Sequence, residues 1–166
     1  MKTLSSLSLG LATLLAACTS YGPQSLPAGS SIDAARQSLG PPTGEFALPD
    51  GGKRVEYARG PFGRHTYMLD YDPSGRLLRW EQVLTEARFN TILPGMEGKD
   101  VQALIGHSFE QRVVGIAEKR QTVWAYRYET PFCQWFQVGI DGFGKVMDTS
   151  YGPDPICEAR DVDDGL

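Results

Sequence analysis

Side chains suited to acid, base or nucleophilic work are scarce in this 166-residue chain, and their spacing says what they can do. The two histidines are His65 and His107. His65 opens a stretch with strand alternation and His107 follows a helical one, so both read as surface or capping histidines. A serine triad would have to gather its acid and its serine from elsewhere, and no G-x-S-x-G turn presents a nucleophile. Asp70 and Asp72 fall on one side of a strand, where two carboxylates could serve glycoside hydrolysis. The commoner use of an aspartate at such a place is to open a turn, and that is the reading adopted. The 19 glycines spell neither a P-loop nor a dinucleotide fingerprint. No Cys or His pair has ligand spacing, so no zinc site is expected. The expectation is a protein that is not an enzyme and holds no cofactor or metal.

Cys18 raises a different chemistry. Lys2 is the only charge before it, and Leu4, Leu7, Leu9, Leu11, Leu14 and Leu15 fill the run between. A positive end, a short apolar segment and small residues before a cut describe a secretory signal peptide. The run falls short of the roughly 20 apolar residues that span a bilayer. Leu15-Ala16-Ala17-Cys18 resembles the lipobox of bacterial lipoproteins. That resemblance implies a diacylglyceryl group on the Cys18 thiol, cleavage before it and acylation of the new amino terminus. Two or more acyl chains anchor stably, at about 0.8 kcal/mol per buried methylene. Thr19, where retention at the inner membrane would call for Asp, implies sorting to the outer membrane, periplasmic face.

With Cys18 given to lipid, Cys133 and Cys157 remain. They either pair or stay as two buried thiols. An oxidising periplasm permits the bridge, which would contribute roughly 3 kcal/mol, and the bridge is the favoured reading.

The formal net charge is −4 and becomes −5 once Lys2 is removed. A mildly acidic chain argues against nucleic acid as a partner and offers no polybasic patch for anionic lipid.

The elements that must position these residues repeat. Gly29 to Gly40 and Gly95 to Gly106 match at an offset of 66, each bounded by glycines. Ile32, Ala35 and Leu39 in the first, and Val101, Leu104 and Ile105 in the second, have helical spacing. Ser30 with Asp33 resembles a capping box, and Gly40 and Gly106 suit a left-handed helix end. Further on, Val55, Tyr57 and Arg59 alternate like Trp124, Tyr126 and Tyr128, and Tyr67, Leu69 and Tyr71 like Phe136, Val138 and Ile140. Such alternation predicts strands with one face buried. Asp72 to Leu77 and Asp141 to Val146 read as hairpin turns at an offset of 69. Phe109 to Lys119 has room for an extra strand.

The fold class expected is α+β, with two tandem repeats. Each is a short helix, or helix pair, packed on a three- to four-stranded antiparallel sheet. The divisions are a signal peptide over 1–17, a flexible Gly/Pro/Ser-rich tether over 18–29, repeat one over 30–88, repeat two over 89–157 and an acidic tail over 158–166. The tail reads as a solvated segment. Among the crowded aromatics of repeat two, Trp135 has the parity opposite to Phe136. It is the candidate contact for a partner protein.

Taken in order, the lipobox, the tether, Gly95 to Gly106, Trp124-x-Tyr126 and Asp141-x-x-Gly144-Lys145-Val146 resemble the BamE (SmpA/OmlA) family. Gly40-Pro41-Pro42 gives a weaker echo in the first half. The resemblance implies a small outer-membrane lipoprotein that binds envelope proteins, among them the subunits that assemble β-barrel proteins, or that supports envelope integrity. The chain departs from that pattern in having two units and in carrying His107-Ser108 after the second helix. The doubled arrangement also resembles the architecture of the β-lactamase inhibitor protein. That implies an alternative: a tethered inhibitor of a hydrolase such as a lysozyme or β-lactamase.

Overall fold

The structure is a computed structural model and describes residues 22–59 and 63–157. It contains two antiparallel four-stranded sheets, each with a short helix laid on it. In repeat one, α1 (Ile32–Leu39) precedes β1 (Gly44–Ala47), β2 (Lys53–Arg59), β3 (His65–Tyr71) and β4 (Leu77–Gln82). A one-turn helix, α2 (Glu86–Phe89), links the halves. In repeat two, α3 (Gly98–Ile105) precedes β5 (Glu110–Val114), β6 (Gln121–Tyr126), β7 (Gln134–Ile140) and β8 (Val146–Pro153). Strand order follows chain order in both sheets. The α+β expectation therefore holds with four strands per sheet, and β5 fills the segment with room for an extra one.

Local rules place the equivalent parts. The backbone N–H groups of Leu77 and Val146 donate to Ser30 and Met96, both at 2.9 Å. Asp72 Oδ1 accepts the N–H groups of Ser74 and Arg76, each at 2.9 Å. Asp141 Oδ1 accepts those of Phe143 and Lys145 at 2.8 and 2.9 Å. An aspartate holding its own turn in this way is the reason the Asp-to-Gly segments reverse the chain. Each hairpin follows a register shift, between Asp70 and Tyr71 and between Gly139 and Ile140. The cap of α1 is Ser31, which accepts from Ala34 N–H at 3.1 Å. Ser30, expected in that role, instead donates its hydroxyl to Pro27 O at 2.7 Å. The helix starts one residue later than the capping-box reading places it.

Two cores result. α1 packs Ala35, with Ile32 and Leu39 beside it, on Val55, Tyr57, Leu69, Tyr71 and Leu77. α3 packs Val101 and Ile105 among Tyr126, Phe136, Val138, Ile140 and Val146 of the second sheet. That second cluster also takes in Met68 of β3 and Val83, Leu84, Phe89 and Ile92 of the link. The first sheet is thus covered on both faces. From Thr66 to Tyr71 every residue of β3 is buried, where alternation alone predicts one wet face. The cover on the second face comes from the other repeat.

Residues 22–29, read from sequence as part of a tether, lie on the first sheet. Pro23 and Leu26 are buried, Leu26 joins the α1 core, and Gly29 N–H donates to Leu77 O at 2.7 Å. Cys133 and Cys157 form a disulfide with their Cα atoms 6.2 Å apart. It joins the entry to β7 to the segment after β8. No helix among the described residues is long and apolar enough to cross a membrane. Cys18, the signal segment and the acidic tail lie outside the described residues.

Candidate functional site

The two repeats meet around one carboxylate. Glu56 on β2 shares a row with Met68 and Glu81, on the face turned away from α1. It is fully buried. Its Oε1 accepts the backbone N–H of His107 at 3.2 Å, and its Oε2 lies 2.6 Å from His107 Nδ1. The His107 ring is half-exposed and stacks on Phe46, centroids 5.9 Å apart. Gly44 makes room for this pair: a Cβ there would stand 2.5 Å from Glu56 Oε2 and 2.9 Å from His107 Cε1. A cavity of about 120 Å³ adjoins, lined among others by Thr66, Ser108, Phe109 and Tyr126. Burial, with the Glu56 charge nearby, pushes the Tyr126 phenol well above its usual range, and its hydroxyl donates to Gly106 O at 3.1 Å.

A second strut stands one row along β2. Arg54 donates to both Asp70 oxygens, at 2.6 and 2.9 Å, and to Ala103 O in the last turn of α3 at 2.9 Å. A cation on a helix's unpaired C-terminal carbonyls is favourable. Burial raises the Asp70 carboxyl, but the Arg54 and Arg79 guanidiniums outweigh it and hold the group below the ordinary aspartate range.

A carboxylate on an imidazole Nδ1 is the acid half of an acid–base relay. The structure uses it to clamp α3 to β2, since one carboxylate takes both the ring and the backbone of His107. His65 is separately engaged, 3.8 Å from Glu129 and stacked on Tyr67. Asp70 and Asp72 have separate tasks too, one in the Arg54–Arg79 cluster and one in its turn. No group of three metal-ligating side chains occurs among the described residues.

Among the described residues, one face of the second sheet has none of α1, α2 or α3 on it. Its rows run Arg112–Val123–Gly139–Asp148 and Glu110–Ala125–Gln137–Ser150. α1 lies in the first core and α2 and α3 in the second, and long side chains cover this face. Arg112 donates to Gln137 Oε1 at 3.3 Å. Gln137 lies across Gly152, where a Cβ would come within 2.7 Å of its Nε2, and Gln121 lies across Gly139. Trp135, expected as a partner contact, is instead buried, 1% exposed, under the Arg112 and Arg127 guanidiniums at 5.6 and 5.7 Å from its ring. Its parity is as read from sequence, but arginines of the same face roof it over. Arg127 is itself fixed by Asp154, at 2.6 and 2.9 Å, and by Phe109 beneath its guanidinium at 4.1 Å. Burial raises the Asp154 carboxyl, and its bonds to Arg127 and to the Ile156 backbone pull it below the aspartate range.

Sequence reasoning missed Arg54, Glu56, Arg127 and Asp154. Glu56 stands where alternation predicts solvent, and its cover arrives 51 residues later. The local signal was the charge itself, set between the apolar Val55 and Tyr57 at the buried centre of β2.

No family model matches this chain, and no curated protein does. Among solved structures, it is similar to an extracellular protein containing an SCP domain from Bacillus anthracis str. Ames, at 10% identity and a TM-score of 0.32. The match covers 93% of this chain and 50% of that one, so the chain spans half the length of that protein. A likeness this low carries no argument about fold or function.

Proposed function

We propose that this chain is a non-enzymatic lipoprotein of the bacterial outer membrane, held on the periplasmic side by an acylated Cys18, that works by binding other envelope proteins. Its role is that of an accessory in β-barrel protein assembly or envelope integrity. The observation that carries the binding role is the helix-free face of the second sheet. The equivalent face of the first sheet is sealed by α3, whereas this one is left to Arg112, Gln121, Gln137, Asp148 and Ser150. A face of adaptable polar side chains over a buried indole is suited to a protein surface. The Cys18 anchor rests on the lipobox resemblance.

The test is photocrosslinking from Ser150 in the full-length chain within intact envelopes, with Asp33 on α1 and the Cys18→Ala chain as controls. Adducts to barrel-assembly subunits from position 150, absent from both controls, are expected. A soluble hydrolase as the sole adduct would replace this reading with a tethered inhibitor. No adduct from Ser150 would remove the proposed face.

A further inference from the structure

The packing of residues 22–29 leaves little slack between Cys18 and the fold. Gly22 is buried, and a Cβ on it would stand 2.8 Å from the Tyr67 ring. Four residue steps separate it from Cys18, a span of at most about 14 Å when fully extended. An acylated Cys18 enters the bilayer at headgroup level, so the surface around Tyr67 is kept beside the membrane.

That surface is apolar. Trp80 packs edge-on against Tyr67, centroids 5.9 Å apart, and is still 37% exposed. Leu78, two residues earlier on the same edge strand, is 55% exposed. Leu26 and Ala28, from the segment leading away from Cys18, line one cleft of about 160 Å³ with Leu77, Leu78 and Trp80. The equivalent positions of β8 are Met147 and Thr149, so an apolar side chain recurs at the first and the aromatic at Trp80 is particular to the first repeat. Arg79 flanks the cleft with its side chain 64% exposed while held to Asp70, and Arg76 is exposed at the strand's start. Tryptophan with apolar neighbours and nearby arginines is the composition that settles at a lipid interface.

We propose that the edge of the first sheet carrying Leu78 and Trp80, with Ala28, seats in the bilayer interface next to Cys18, so that the protein lies against the membrane in one orientation. This rests on the lipid-anchor reading above. The occupant follows from the short link to Cys18, and the charge of the flanking arginines suits lipid phosphates.

The test uses the full-length chain purified with its native amino terminus and reconstituted in vesicles of phosphatidylethanolamine and phosphatidylglycerol. Half the vesicle preparations carry brominated acyl chains, which quench tryptophan at the interface. Bromination is expected to lower the emission, and Trp80→Phe to remove at least half of that quenching, since Trp135 is buried and Trp124 half-buried. A photocrosslinker at Leu78 should label phospholipid. Acylated Cys18 in the intact mass, with quenching absent or unchanged in Trp80→Phe, would overturn the seat and leave the anchor standing. Crosslinks from position 78 to a protein would overturn it likewise. An unmodified Cys18 in the mass would end the anchor reading and this proposal together.

Discussion

Glu56 is a charge whose needs are met almost wholly by one residue from the other half of the chain. Taking away the partner of a buried charge costs about 3 kcal/mol or more, so His107→Ala is expected to lower stability by about that amount. Adding Glu56→Gln should recover part of the loss. Urea midpoints of the four chains of that cycle check both statements, and simple additivity would show that the pair is not coupled. Asp70 and Asp154 give the pH dependence. Both carboxyls are held below their ordinary range by arginines that outweigh the upward push of burial. A depressed carboxylate stabilises the fold fully above its unfolded value, near 3.9, and that stability is lost as pH falls through the folded value. Urea midpoints should stay level above about pH 5 and fall in acid below it. Asp154→Asn should start lower and show a shallower fall. An equal acid slope in that variant would remove Asp154 from the account.

At the scale of elements, the two repeats act as controls for each other. Gly40 and Gly106 end their helices at φ/ψ of 80°/−164° and 83°/−176°, an extended positive-φ conformation in place of the left-handed helical end expected from sequence and one open almost only to glycine, so alanine is strained at either. Around Gly40 the nearest atom to an added Cβ is Arg59 Nη2, at 3.6 Å. At Gly106 the same Cβ would meet Thr66 Cγ2 at 2.8 Å and the Glu56 carboxyl at 3.1 Å. Gly40→Ala is expected to cost about 1–3 kcal/mol and Gly106→Ala about 1–3 kcal/mol more through overpacking, read as the difference between their melting temperatures. Equal losses would mean the junction gives way freely. The helices, the two aspartate turns and the inner strands were legible because their causes are local: helical spacing, glycine ends, an aspartate bonding its own loop. β1 was not. Gly44–Ala47 is four residues long with alternating half-burial, and what fixes it is pairing with β2 and the stacking of Phe46 on His107. The one-residue slip of the α1 cap has the same character, since Ser30 and Ser31 are equal candidates until Pro27 O claims one of them.

The whole molecule is two repeats in which α3 serves both sheets. Met68, Val83 and Leu84 from the first half share a core with α3 and the second sheet. Unfolding should therefore be a single transition, with far-ultraviolet dichroism and tryptophan fluorescence coincident in urea. Two separated transitions would show that the halves are independent. Sequence could announce the repeat but not this sharing, because the period-two pattern of β3 looks the same whether its second face meets water or a helix from the other half. The candidate partner face suffered likewise: Trp135 was read from parity, and its roof of Arg112 and Arg127 comes from two other parts of the repeat. The sharing also has a consequence in time. The chain is delivered amino terminus first wherever it folds, so β2 and β3 arrive before α3, and until residue 107 follows, the surface destined for that helix stands bare. During that interval it presents Arg54, Glu56 and Asp70 beside Met68. Charge on an uncovered sheet discourages pairing with a neighbouring unfinished chain, so the polar residues that later bolt the halves together also guard the incomplete one.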